Sequence, residues 1–209
     1  RYFDIPEISS RGDWAECADD VDYQCKANWC GEHAVGSTLT PKETHESFFL
    51  ATLACEQLEK LAKSESDQPF SLRVDFWGPH QPHFPTQEFL DLYPKEDFDL
   101  PEYGSYRNRL QGKPGAYYRE RSSPFGKDDQ LIIPSAVNWD EWTEIIRHAF
   151  AHITMLDAAG GMIVDKLKEL GLDKNTMIIW TTDHGDALAS QGGHFDKGSY
   201  MSEEVMRIP

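Results

Sequence analysis

His80, Asp183, His184 and Lys197 are the side chains whose types and surroundings could do chemistry. Asp183 and His184 directly follow the apolar run Thr176-Met177-Ile178-Ile179-Trp180-Thr181-Thr182, where a carboxylate and an imidazole could meet a divalent ion. His80 lies between Pro79 and Gln81-Pro82, so proline stiffens the backbone on both sides of the ring. Lys197 sits in Gly193-His194-Phe195-Asp196-Lys197-Gly198. Singly, each has a plainer reading. Asp-His-Gly is a turn in which Asp183 or Asp186 caps the next helix, a histidine among prolines packs or faces solvent, and a lysine is solvated. Together, a metal, an imidazole and an ammonium converging at strand ends make a site for a tetrahedral anion. The metal would polarise an oxygen, the ammonium would hold growing negative charge, and the imidazole would protonate a leaving oxygen.

The elements needed to bring these residues together can be read from periodicity. Pro41 after Thr40 suits a first helical turn, and Phe48, Ala51, Cys55, Leu58 and Ala62 recur at steps of three and four, which predicts a helix to about Lys63. Phe70, Leu72, Val74 and Phe76 alternate with Ser71, Arg73 and Asp75, a half-buried strand with an Arg73/Asp75 contact on its outer face. The chain from Gly78 to about Pro134 is broken by proline and glycine, apart from a short helical stretch near Gln87 to Leu92. From Trp142, apolar residues or glycines at helical spacing predict one long amphipathic helix. Gly160-Gly161 is its kink or close-packing point, and Gly171 its C-cap. The run from Thr176 to Thr182 reads as a strand in the middle of a sheet covered on both faces. Helix, strand, long helix and buried strand is α/β ordering, in which ligands collect beyond the carboxyl ends of the strands.

The composition narrows the function. The chain has 209 residues and a formal net charge of −16, which repels nucleic acid and anionic membrane surfaces as partners. No apolar run approaches the roughly 20 residues that cross a bilayer. The first residues, Arg1-Tyr2-Phe3-Asp4-Ile5-Pro6, show no basic region followed by an apolar stretch, which favours a cytoplasmic location slightly. Cys17, Cys25 and Cys30 crowd into a polar, loop-like stretch and Cys55 sits in a helical pattern; without a C-x-x-C pair they read as thiols or one loop disulfide.

At this point a resemblance becomes specific. The run Asn175 to Asp186, followed by His194-Phe195-Asp196-Lys197-Gly198 and Glu203-Glu204-Val205-Met206-Arg207-Ile208-Pro209, closely resembles the sulfatase family of the alkaline phosphatase superfamily. Pro69-Phe70-Ser71-Leu72 through Pro79-His80-Gln81-Pro82 is similar to that family's strand and P-H-x-P segment, and His148 to Asp157 with Leu167 to Leu172 to its long helix. The resemblance covers most of residues 41–209, in the family's order, and residues 1–40 read as an irregular connecting segment. It implies that residues 1–209 are part of one catalytic domain. The implied fold is α/β, an alkaline-phosphatase-like, mostly parallel sheet with helices on both faces, incomplete here. The implied activity is metal-assisted hydrolysis of a small-molecule or carbohydrate sulfate ester. Asp183 and His184 would then be metal ligands, Lys197 would contact the sulfate or the leaving oxygen, and His80 would contact sulfate and protonate the leaving group. His194 is a further candidate for substrate contact. An oxygen-rich shell favours Ca²⁺, while the His184 nitrogen leaves Mn²⁺ or Mg²⁺ open.

The chain departs from the family pattern in lacking its opening strand with acidic metal ligands, the nucleophile motif and the second basic cluster that follows it. It contains no C-x-P-x-R or S-x-P-x-R segment, whose Cys or Ser becomes formylglycine in such enzymes. Cys25-Lys26-Ala27-Asn28-Trp29 imitates C-x-A-x-R but ends in Trp29, and Ser123-Pro124 offers no better candidate. The nucleophile is therefore expected on an N-terminal segment outside these residues, with this chain alone inactive and prone to self-association through uncovered apolar surface. A phosphonate monoesterase or phosphodiesterase of the same superfamily, and a non-catalytic binding fragment, are the rival readings.

Overall fold

Pro41 leads into a 3-10 turn, Lys42–Thr44, and helix α1 (Glu46–Ala62) starts after it. In this computed structural model, residues 35–65, 68–107, 110–115, 117, 125–127, 130–132, 137–194, 196–197 and 201–208 are described. Cys17, Cys25, Cys30, the Cys25–Trp29 look-alike and Ser123-Pro124 lie outside them. The α1 cap is His45, so Pro41 does not sit in the first turn of this helix. The His45 Nδ1 accepts from the Ser47 N–H at 3.2 Å, which satisfies one of the free donors at a helix start. The Pro-containing stretch thus forms its own turn and the helix begins one turn later.

After α1, residues 70–77 join no helix or sheet ladder among the described residues, so the strand expected here is not formed, yet Leu72, Val74 and Phe76 are half-buried while their neighbours are exposed. The alternation expected of a strand is present, and so is the outer Arg73–Asp75 ion pair at 2.9 Å. Short helices α2 (Gln87–Leu90) and α3 (Gly104–Arg107) follow, then an antiparallel pair, β1 (Phe125–Lys127) and β2 (Gln130–Ile132). These two strands are the only sheet among the described residues, and they fall in the stretch where proline and glycine suggested none.

Helix α4 (Trp139–Glu169) runs 31 residues and has signals at both ends. Asn138 and Glu141 form a reciprocal capping box, the first turn is acidic, and Lys166 and Lys168 occupy the last turn, which suits the helix dipole. At its end Gly171 adopts φ 68°, and Leu172 N–H donates to Leu167 O while Gly171 N–H donates to Lys168 O, a Schellman ending. One half of α4 buries Trp142, Ile145 and Ile146 with Val35, Tyr106, Val137 and Ala189. The other half packs Met155 and Ala159 against Phe48 and Ala51 of α1 and Phe89 of α2. Each large side chain buried this way contributes about 1.5–3 kcal/mol.

Residues 176–182 pair with no strand among the described residues, and they are not the covered central strand expected. Met177 is 85% exposed, Ile179 76% and Trp180 55%. A run that is apolar on both sides is buried only when strands pair with its edges and helices cover its faces, and no such strand exists among the described residues. Trp180 nevertheless turns back onto the core. Its ring lies over Gly160, where a Cβ would stand 2.7 Å from it, and 6.1 Å from Phe76. Gly160 is thus a close-packing point within a continuous helix. Two short pieces complete the fold, α5 (Ser190–Gly193) and α6 (Glu203–Met206).

Candidate anion and metal site

The turn that carries His80 is pinned from the side by residues 35–38. Gly36 N–H donates to His83 O at 3.0 Å, Thr38 N–H to Pro85 O at 3.1 Å, and Gln87 N–H to Thr38 O at 2.8 Å. His80 N–H reaches back to Trp77 O at 3.3 Å, and the Gly78–Pro79 and Gln81–Pro82 peptides are cis. At the side chain, Nδ1 of His80 lies 2.7 Å from Gln81 O, so it carries the proton and donates. Nε2 is then the acceptor, and it receives a hydrogen bond from Lys197 Nζ at 2.9 Å. Two residues 117 positions apart in the sequence meet here.

A hairpin-like loop aims Lys197. Asp186 Oδ1 accepts from Leu188 N–H at 2.9 Å and from Asp196 N–H at 3.0 Å, which ties the two ends of the loop together. Burial pushes the Asp186 carboxyl up, those two N–H groups pull it back down only in part, and nearby Asp196 adds to the rise. Leu188, Ala189, Gln191 and Asp196 all have positive φ, an uncommon concentration for residues other than glycine. Asp196 is buried; its Oδ1 accepts from the Lys197 N–H at 2.7 Å and lies 3.4 Å from Lys197 Nζ. The Asp196 carboxylate therefore holds both ends of the lysine that follows it. Nothing in the sequence pattern singled out Asp196 for this role; its signal was an aspartate, tolerant of left-handed backbone, directly before the lysine.

His194 does not join this group. Its ring is buried, Nδ1 contacts Gln191 O within the loop, and Nε2 lies 3.1 Å from Tyr117 O of a distant segment, so both nitrogens face backbone carbonyls rather than the rim.

Asp183 and His184 follow the exposed apolar run. His184 Nδ1 lies 2.8 Å from Gly185 O and must donate to it, which leaves Nε2 as a lone pair 3.5 Å from Asp183 Oδ2. Two bases aimed at one another are stabilised by a cation between or beside them, so this donor set fits a divalent ion. Desolvation is the largest single influence on the Asp183 carboxyl and raises it, but the facing His184, the backbone N–H groups and the Thr182 hydroxyl together outweigh it and hold the group below the usual aspartate range. Among the described residues no three His, Cys, Asp or Glu side chains converge as a complete shell. The His80 and His184 rings stand 6.4 Å apart, so the pair with Lys197 and the pair with Asp183 share one rim. The backbone beyond is locked by Gly185, whose N–H donates to Val205 O at 2.8 Å.

A family model described as Sulfatase matches residues 11–209. The chain is similar to a sulfatase of Formosa agariphila, 33% identical over 138 residues that make up 65% of this chain and 25% of the relative. It is similar to an endo-4-O-sulfatase of Bacteroides thetaiotaomicron, 32% identical over 69% of this chain and 23% of the relative. The matched stretch thus spans about a quarter of each relative's length. Among solved structures, a phosphonate monoester hydrolase of Agrobacterium radiobacter superposes with a TM-score of 0.69 at 18% identity, covering 97% of this chain and 39% of that one. The likeness carries the overall fold of that hydrolase, although the mostly parallel sheet expected is not seen among the described residues.

Proposed function

The chain belongs to the sulfatase family, and on that premise we propose that it supplies one side of a site that hydrolyses sulfate esters of small molecules or carbohydrates. The observation that carries this reading is the Lys197 Nζ to His80 Nε2 hydrogen bond at 2.9 Å, on the same rim as Asp183 and His184. Asp183 and His184 would hold a divalent ion, Ca²⁺ first and Mn²⁺ or Mg²⁺ as alternatives, which when bound would act as a Lewis acid on an ester oxygen. Lys197 binds the anion and faces the charge that grows on it during bond cleavage. His80 orients the ester, and its Nε2, which accepts from Lys197, takes a proton from that ammonium and passes it to the leaving oxygen, leaving Lys197 neutral until solvent reprotonates it. His194 holds the loop that presents Lys197, a supporting role rather than substrate contact.

The nucleophile, a formylglycine by family resemblance, we assign to a segment outside these 209 residues. Two facts support that assignment: no C-x-P-x-R or S-x-P-x-R segment occurs in the chain, and the chain matches about a quarter of its relatives. Losing a nucleophile costs several orders of magnitude in rate even when the rest of a site remains. Purified 209-residue chain and a form extended through the nucleophile segment and matured to formylglycine are compared on a chromogenic aryl sulfate, with and without Ca²⁺ or Mn²⁺. The extended form turns over and the short one does not, and Asp183→Ala removes the turnover. Comparable rates from the short chain, abolished by Asp183→Ala, would place a complete active site within these residues. An aryl phosphonate monoester run in parallel tests the rival substrate class, since this rim binds either tetrahedral anion.

A further inference from the structure

Beneath the turn that presents His80 lies a stack of three histidines from three elements. His45 caps α1, His152 projects from α4, and His83 belongs to the turn itself. The His45 and His152 rings are 5.7 Å apart and those of His152 and His83 6.3 Å apart, both edge to face. His152 is 4% exposed, and neither of its ring nitrogens has a hydrogen-bond partner among the described residues. It presses on the turn from below: a Cβ on Gly78 would stand 2.7 Å from His152 Nε2, so only glycine allows the turn to settle there. His83 is buried and its ring bonds to the backbone of Pro79, the residue before His80.

We propose that His152 is a positioning residue for His80, and that the His45–His152–His83 stack holds the Gly78–His83 turn in place only while its imidazoles are neutral, so that acid releases the turn. The role given to His80 rests on the functional reading above; the acid release does not.

The stack is built for neutral rings. His45 Nδ1 must accept from Ser47 N–H while Nε2 donates to Phe84 O at 3.2 Å, so a proton on Nδ1 removes the α1 cap. A proton on His152 would be buried without an acceptor. The charged groups around the stack offer it no counter-ion. Glu144 is already held by Arg147 at 2.6 Å, with Lys95 at 3.6 Å and His148 at 3.6 Å beside it. Glu46, in the first turn of α1, accepts from the Trp77 backbone, and His80 faces Lys197. Burial accordingly lowers His152 to about 3, with the neighbouring His83 and His45 charges adding to the effect, and lowers His83 to about 4, with His148 adding to it; burial also lowers His45 and His148. An opened turn returns these rings to water, where histidine titrates near 6.5. The open form then binds protons that the closed form refuses, so closure is complete above about pH 6.5 and is lost as the pH falls toward 4. Between pH 7 and pH 5 each such imidazole multiplies the open population about 25-fold.

Amide hydrogen exchange of the protein at pH 7 and pH 5 tests this without any ester substrate. Protection factors of Gly36 and Thr38, whose N–H groups bond to His83 O and Pro85 O, are compared with that of Ala159 in mid-α4. The two loop amides lose at least tenfold in protection on acidification relative to Ala159, and in His152→Gln this loss shrinks by an order of magnitude. Ring NMR of histidines in the unaltered protein covers the case in which that variant does not fold: His152 and His83 stay neutral to below pH 5 in the closed form. Protection at Gly36 and Thr38 that does not change with pH, a loss equal in wild type and His152→Gln, or a His152 ring that titrates near 6.5 without opening, overturns the proposal. An absence of sulfatase turnover leaves all of these readouts intact, so the two readings fail separately.

Discussion

The direction of the bond between Lys197 and His80 follows from the far side of the imidazole. With Nδ1 donating to Gln81 O, Nε2 is free to accept from the ammonium, and the two groups act as one unit. In the form extended through a nucleophile segment, the proposed roles predict that Lys197→Ala and His80→Ala each lower kcat/KM by about 10²- to 10⁴-fold. The double substitution should lose much less than the product of the two, because the partners touch; independent, multiplying losses in a double-mutant cycle would show that they serve separate steps. Asp186 offers a second test. Its Oδ1 accepts two N–H groups, and an asparagine oxygen can do the same, so Asp186→Asn should fold nearly as well as the parent. Asp186→Ala leaves both donors without their acceptor and should cost about 1–3 kcal/mol in urea unfolding. Equal stability of the two variants would remove Asp186 from the loop's support. His80, Asp183, His184 and Lys197 were legible because their motifs are short and local. The brackets behind them were not, since Asp186 and Asp196 work through backbone N–H groups whose positions depend on left-handed residues such as Leu188 and Ala189.

At the scale of elements, what could be read was what repeats. Helix α4 shows in its 3.6-residue period, yet its start was placed at Trp142 rather than Trp139, because the Asn138 and Glu141 capping box lies ahead of the first periodic residue. Asn138→Ala should cost about 1 kcal/mol, read as a lowered urea midpoint with an unchanged slope. The alternation of residues 70–77 survives as half-buried and exposed faces, whereas the run from Thr176 to Thr182 shows that an apolar stretch cannot announce its own partners. A contact still less visible in sequence joins the Asp-His-Gly turn to α6. A Cβ on Gly185 would collide with Glu204 O, a backbone atom that cannot swing aside as a side chain does. Gly185→Ala should therefore push α6 away and disturb His184 next to it, lowering both thermal stability and metal affinity. A variant that keeps the Tm and the metal titration of the parent would mean that α6 shifts freely.

For the molecule as a whole, the imbalance is between a strongly acidic surface and one bare apolar segment. Met177, Ile178, Ile179 and Trp180 are exposed in sequence, and Trp77 stands 65% exposed at the end of the neighbouring segment, residues 70–77. Their backbone makes no ladder among the described residues, so the segment offers unpaired N–H and C=O groups beside apolar side chains, the combination that templates pairing with another chain. A net charge of −16 opposes the approach of two copies, and that repulsion extends only about 10 Å at 0.1 M salt and about 3 Å at 1 M. Association of the 209-residue chain should therefore strengthen with salt, the reverse of what an ion-paired interface would show. Ile179→Lys places a charge on the exposed edge, and because Ile179 packs little of its surface the change should cost within about 0.5 kcal/mol of stability. Sedimentation equilibrium at 0.1 M and 1 M salt, run on the parent and on Ile179→Lys, reads both effects. The parent should move toward dimers or larger species at high salt while the variant stays largely monomeric with the same helical circular dichroism. A parent that remains monomeric at both salt concentrations, or a variant that associates as strongly as the parent, would show that this segment is not what draws two chains together.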